Sequence, residues 1–326
     1  MEKKKPDGRK FILIFLCALI ALFLLMILIA VREASSKKIG KPADKTGRQK
    51  SCSFLLSSCD VRQGGILSVN VFLLFDDIEH LSVTFNGRKI KFYQNGTEAR
   101  ALVGIDLYQK PDEYELKIIY QKEIYVEKIT VKEGEFPVSY GWGRGKPYTK
   151  EDAARIIKEK RELKKALEKS RAKNWPKMWK TFEPPIEISD GFALKDYITT
   201  PFGQIRILEK GKYGKQKRWH HGSDFFAPAG TPIKSMADGV VAYIGKNLFM
   251  EGNIVIINHG AEVYSMYMHL NNFQVKKVGQ KVAAGELIGR SGSTGNSNKP
   301  HLHLGLKING ALVDPLQIFE ISRIKQ

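Results

Sequence analysis

Arg218-Trp219-His220-His221-Gly222-Ser223-Asp224, followed by His269 and then by His301-Leu302-His303, is the part of this 326-residue chain whose reading decides the rest. Six of the seven histidines lie at or beyond position 220, so imidazole is concentrated in the C-terminal third. On an extended segment side chains two apart share a face, so His220, Gly222 and Asp224 are expected to project together while His221 points away, with Gly222 leaving room for an ion between two ligands. The same alternation puts His301 and His303 on one face of a strand and turns Leu302 to the core. Two imidazoles and a carboxylate with a fourth position open form the donor set of a catalytic zinc, whereas a structural zinc site closes with four protein ligands. Taken singly these signals are weak, since a His-x-x-x-Asp spacing arises by chance and a lone strand histidine is more often a hydrogen-bonded core residue. Their conjunction is strong.

Working outward, the flanking segments carry further motifs: Pro201-Phe-Gly-Gln-Ile-Arg206, Ala227-Pro-Ala-Gly-Thr-Pro232, Asp238-Gly-Val-Val241, the run from Gly252-Asn253 to His259-Gly260, Tyr267-Met-His-Leu270, and Gly292-Ser-Thr-Gly295 before Pro300-His-Leu-His303. On these residues the segment from about 180 to 320 closely resembles the M23 peptidases, the LytM or lysostaphin-like zinc endopeptidases of bacterial cell walls. The resemblance implies an antiparallel β peptidase domain over 181–326 that binds one Zn2+ per chain. It implies His220, Asp224 and His303 as metal ligands, His269 and His301 as catalytic residues, and peptide cross-links of peptidoglycan as substrate. Two departures touch the substrate groove: Asn298-Lys299 stand where Thr-Gly is frequent, and Gly305 where an acidic residue often follows. His301, beside the ligand His303, is the candidate general base, and His269 the group that stabilises the oxyanion or protonates the leaving amine; the two roles are exchangeable on the sequence alone. His259 reads as structural and Tyr213 as a loop tyrosine. The alternative to an enzyme is a non-catalytic LytM-type wall-binding or regulatory factor, against which the complete set of five residues argues.

The rest of the chain divides by composition. Residues 1–10 read as a cytoplasmic tail, and Phe11–Val31 is uncharged and apolar, about 32 Å long as a helix, enough to span a bilayer core. Residues 32–50, rich in Lys, Gly and Ser, read as a solvated tether. Short alternating runs separated by Asn86-Gly87, Asn95-Gly96 and Pro111-Asp112 predict a small β-sandwich over 51–135. A basic linker spans 136–180, with one amphipathic helix over 149–171, started by a capping box at Thr149–Asp152 and carrying a Glu151–Arg155 pair. Beyond Thr181 no helix-period segment of any length is expected, so the fold class is mainly β: transmembrane helix, sandwich, helical linker, peptidase domain.

The formal charge of +19 is concentrated in the two connecting segments, and the sandwich region is slightly acidic. That distribution excludes the continuous basic footprint of a nucleic-acid binder and suits tethers beside an anionic membrane or wall polymer. The expected location is the cytoplasmic membrane, single-pass, with the peptidase domain outside it. Of three cysteines, Cys52 and Cys59 leave a disulfide and two free thiols equally open.

Overall fold

The computed structural model describes residues 52–74, 78–142, 148–171, 181–209 and 215–323. The tail, anchor and tether expected over 1–50, and Tyr213, lie outside these residues. Among the described residues no helix is long and apolar enough to cross a membrane.

The sandwich forms as its alternation predicts. One sheet orders Cys52–Leu56, Ile66–Leu73, Glu98–Gly104 and Phe92–Asn95; the other orders Asp60–Arg62, Glu123–Lys132, Asp112–Tyr120, Leu81–Phe85 and Arg88–Ile90. Alternate residues such as Phe54, Leu56, Val83, Phe85, Leu116 and Ile118 meet between the sheets. Asn86 and Gly87, at φ 48° and 74°, make the two-residue turn that joins Leu81–Phe85 to Arg88–Ile90. Cys52 is buried and Cys59 half-buried.

The C-terminal unit, expected from the sequence as a peptidase domain, is built on an eight-stranded antiparallel sheet. Its central order runs Ile198–Thr200, Ser223–Phe225, Leu302–Ile308, Val263–Met268, Gly252–Asn258, Gly239–Leu248, Lys281–Val282, and Ala311–Val313 pairs onto Leu302–Ile308. A three-stranded sheet of Pro232–Lys234, Leu287–Ser291 and Leu270–Phe273 lies beside it. Every residue of Gly252–Asn258 is buried, which needs a cover on both faces. Val255 and Ile257 face the main core, while Ile254 and Ile256 face a second cluster closed by Leu163 and Leu167 of the linker helix.

That helix spans Lys150–Arg171, and its start is the expected box: Asp152 N donates to Thr149 Oγ1 at 3.1 Å and Thr149 N to Asp152 Oδ2 at 3.0 Å. Arg155 departs from expectation, since it pairs forward with Glu159 at 2.8 Å instead of back to Glu151. Glu159 also accepts from Phe249 N, and Arg155 also donates to Asn247 O, so docking on the hairpin turn decides the partner.

Two expectations about elements are corrected. The linker contributes a strand, Val138–Trp142, parallel to Ile205–Glu209, because tertiary pairing supplies the ladder that local composition does not announce. A helix also forms beyond Thr181, at Pro315–Arg323, burying Ile318, Phe319 and Ile321. Its nine residues are too short to print a period on the sequence, although Pro at its first position and Asp314 before it, whose Oδ1 accepts from Leu316 N at 3.0 Å, are proper start signals.

The sandwich is joined to the peptidase domain by more than a connecting strand. Ile66, Tyr93 and Leu102 belong to the same apolar cluster as Val263, Ile308, Ala311 and Ile318. Polar bonds stitch the seam: Asp314 N to Gly64 O at 2.8 Å, Leu107 N to Leu312 O at 3.1 Å, Leu312 N to Asp106 Oδ2 at 2.8 Å and Arg88 Nη1 to Asn309 O at 2.7 Å.

Candidate metal centre

Register brings the site together. Asp224 is directly opposite His303 across the Ser223–Phe225 and Leu302–Ile308 pair, so their side chains share a face, and Phe225, Leu302 and Leu304 point to the core. His220 arrives by a different route from the one the spacing suggests. It precedes the strand and is fixed by backbone bonds to the Pro201–Gln204 turn, His220 N to Gln204 O at 3.0 Å and Gly203 N to His220 O at 2.8 Å. Gly222 also serves another purpose than leaving room for an ion. A methyl group there would strike the Leu304 carbonyl oxygen and stand 2.6 Å from His303 Nε2, so glycine admits the neighbouring strand and the ligand ring.

Ligand-capable atoms of His220, Asp224 and His303 lie within 4.8 Å of one another, all three residues buried. His220 Nε2 is 3.0 Å from both Asp224 Oδ1 and His303 Nδ1, and His303 Nδ1 is 2.8 Å from Asp224 Oδ1. On the far side of its ring His220 Nδ1 lies 2.9 Å from Pro201 O, which can only accept, so Nδ1 carries the proton and the Nε2 lone pair faces the cluster. Two aromatic nitrogens and one carboxylate oxygen, desolvated and convergent, fit zinc and leave a coordination position without a protein donor.

The other two imidazoles stand alongside. The His269 and His301 ring centres are 4.9 Å apart, and those of His269 and His303 5.9 Å. His269 Nδ1 is 2.8 Å from Thr294 O and His301 Nδ1 is 2.8 Å from Lys299 O, so in both rings Nδ1 donates and Nε2 is the working atom. His301 Nε2 lies 3.5 Å from Asp224 Oδ1. His269 has φ 61°, a left-handed conformation costly for a residue with a side chain, at the step between Val263–Met268 in the large sheet and Leu270–Phe273 in the small one. His269 N donates to Glu251 O at 3.0 Å and holds that step in place.

Burial would raise the Asp224 carboxyl, but the adjoining imidazoles of His220, His301 and His303 outweigh it and hold the group far below the usual carboxylate range. Burial, aided by the neighbouring His303, pushes His269 down to about 4, and burial also lowers His303, so both rings are neutral with lone pairs at physiological pH. His301 moves the other way: burial opposes its charge, yet the bond to Asp224 raises it. His221 turns away from the ligands, as its place in the motif implies, and lies 2.8 Å from the Tyr108 hydroxyl of the sandwich. His259 is buried between Asp238 O at 2.9 Å and Ser265 Oγ at 2.7 Å, a structural role.

The supporting groups escaped the sequence reading. Three of them, Pro201, Thr294 and Lys299, act through backbone carbonyls, and only the adjoining glycines and the Pro201–Arg206 motif hinted at special geometry. Arg206 Nη2, 3.5 Å from Asp224 Oδ2, was quoted in that motif without a role.

An antiparallel sheet with three convergent donors and two further imidazoles beside them has the arrangement of an open three-donor metal centre. Residues 218–315, which hold all five of these side chains, match the model of peptidase family M23. The peptidoglycan DD-endopeptidase ShyA of Vibrio cholerae is 44% identical over 98 residues, 30% of this chain and 22% of that protein. The glycyl-glycine endopeptidase ALE-1 of Staphylococcus capitis is 45% identical over 85 residues, 26% of this chain and 23% of that protein. The chain thus spans less than a quarter of the length of these two relatives. A crystal structure of a peptidase M23 protein from Pseudomonas aeruginosa aligns over 79% of this chain and 94% of its own, with TM-score 0.56 and 28% identity. That likeness extends the shared fold beyond the peptidase domain.

Proposed function

We propose that this chain is a zinc metalloendopeptidase that hydrolyses peptide cross-links of bacterial peptidoglycan, held by a single-pass anchor at residues 11–31 with its peptidase domain outside the cytoplasmic membrane. The observation that carries the reading is the convergence of His220, Asp224 and His303 within 4.8 Å, with the His269 and His301 rings beside them. M23 kinship over 218–315 and relatives named as peptidoglycan endopeptidases support the substrate class.

His220 Nε2, Asp224 and His303 Nδ1 would hold the zinc, which when bound supplies Lewis acidity toward a peptide carbonyl and lowers the pKa of a coordinated water. Of the two free imidazoles, His269 is neutral with a bare Nε2 and accepts the proton of the attacking water. His301, whose charged form is favoured by Asp224, donates to the developing oxyanion and then to the leaving amine. This exchanges the two roles that the sequence leaves interchangeable, and the neighbours of each ring support that choice.

The test is digestion of purified peptidoglycan by the full chain, with and without chelator, beside His269→Ala, His301→Ala and Asp224→Asn, followed by mass analysis of released muropeptides. Expected are release by wild type, loss on chelation, a fall of about 10²-fold or more for either catalytic variant with zinc content retained, and loss of zinc from Asp224→Asn. Wall binding by the zinc-loaded chain without any release would make it a non-catalytic binding factor.

A further inference from the structure

The strand that delivers His220 carries a charge arrangement that folding alone disfavours. Lys215–Trp219 pairs antiparallel with Ile205–Glu209 so that Arg206 stands directly opposite Arg218, and side chains opposite one another share a face. Like charges in that relation repel. Among the described residues the carboxylate that Arg206 meets is Asp224, through one 3.5 Å contact, and the Arg206 side chain stays 41% exposed. Arg218 rests on an aromatic, its guanidinium 5.4 Å from the Tyr148 ring centre and Nη1 3.4 Å from the Tyr148 hydroxyl.

The two side chains have different neighbours. Arg206 lies at Asp224, the carboxylate that His301 Nε2 approaches to 3.5 Å. Arg218 leads through Tyr148 to Phe249, 5.5 Å away between ring centres, on the turn whose Glu251 carbonyl fixes His269. A guanidinium that is part open to solvent and next to the candidate metal donors is placed to bind a planar anion in two-pronged fashion.

Resting on the endopeptidase reading, we infer that Arg206, backed by Arg218, is a specificity-determining residue that binds a carboxylate carried by the substrate peptide close to the scissile bond. The preferred cross-link is therefore an acidic peptide and not a neutral one such as a run of glycines. The repulsion between the arginines is relieved when that carboxylate docks, so the charge pair favours the loaded site over the empty one.

The test uses two synthetic peptides that differ only in a side-chain carboxylate or its carboxamide beside the cleaved bond. Affinities are measured by fluorescence anisotropy on the zinc-loaded full chain carrying His301→Ala, which keeps the peptide intact, and hydrolysis is followed separately with wild type. Expected are roughly tenfold or tighter binding of the carboxylate peptide, a preference that shrinks as salt is raised, its loss in Arg206→Gln, partial retention in Arg206→Lys, and a smaller loss in Arg218→Gln. Equal affinities for the two peptides would overturn the inference. So would an equal loss on both in Arg206→Gln together with lost zinc, which would make Arg206 a support for Asp224. Binding discrimination without hydrolysis by wild type would sink the endopeptidase reading and leave the carboxylate site standing.

Discussion

Gly222 shows how closely the ligand set depends on a residue that binds nothing. With the Leu304 carbonyl and His303 Nε2 occupying the space of a side chain, Gly222→Ala must displace the ligand ring or the strand beneath it. We expect the variant to lose zinc affinity by about 10-fold or more and stability by about 1–3 kcal/mol, measured by zinc titration against a competing chelator and by denaturant melts. A variant that binds zinc as wild type would show that the strand yields. The five histidine and aspartate residues of the candidate site could be picked out in the sequence, because imidazole is concentrated beyond position 220 and the flanking motifs resemble those of a known family. Their orientation could not. It depends on carbonyls of Pro201, Thr294 and Lys299 that any residue could supply, and on a φ of 61° at His269 that no residue type announces.

At the scale of elements, the C-terminal helix carries a titratable start. Asp314 accepts from Leu316 N, and its own N–H donates to Gly64 of the sandwich, so it sits on the seam. Burial raises its carboxyl to about 6, with Glu320 adding to the effect. A carboxyl with a folded pKa above its unfolded value binds its proton more tightly in the folded chain. Stability from this group is therefore fully present below about pH 4 and declines as pH rises through 6, by about 1–3 kcal/mol. Asp314→Asn keeps the acceptor for Leu316 and should raise the melting temperature at pH 7.5 while leaving it nearly unchanged at pH 4; equal shifts at both pH values would refute the assignment. The longer helix was legible because twenty-two residues display a stripe and a capping box, whereas nine residues at Pro315–Arg323 display only their start. Thr149→Ala should cost about 1 kcal/mol through the lost cap, read from urea melts.

For the whole molecule, alternation and turn signals made the sandwich and the peptidase domain readable as two units, but periodicity reports which face of a strand is buried and not what covers it. Ile66, Tyr93 and Leu102 cover Ile308, Ala311 and Ile318, so the units share a core. A fragment starting at 181 would expose that surface and lose Leu163 and Leu167 as well; it should melt at least about 10 °C below the full chain, by circular dichroism. An unchanged melting point would mean that the seam contributes nothing. The register that joins Asp224 to His303 reaches across 79 residues of chain. During synthesis, two of the three candidate donors leave the ribosome long before the third, whose strand Leu302–Ile308 follows most of the large sheet. A chain that stops short of Leu302–Ile308 therefore lacks one of the three donors and the strand that faces Asp224.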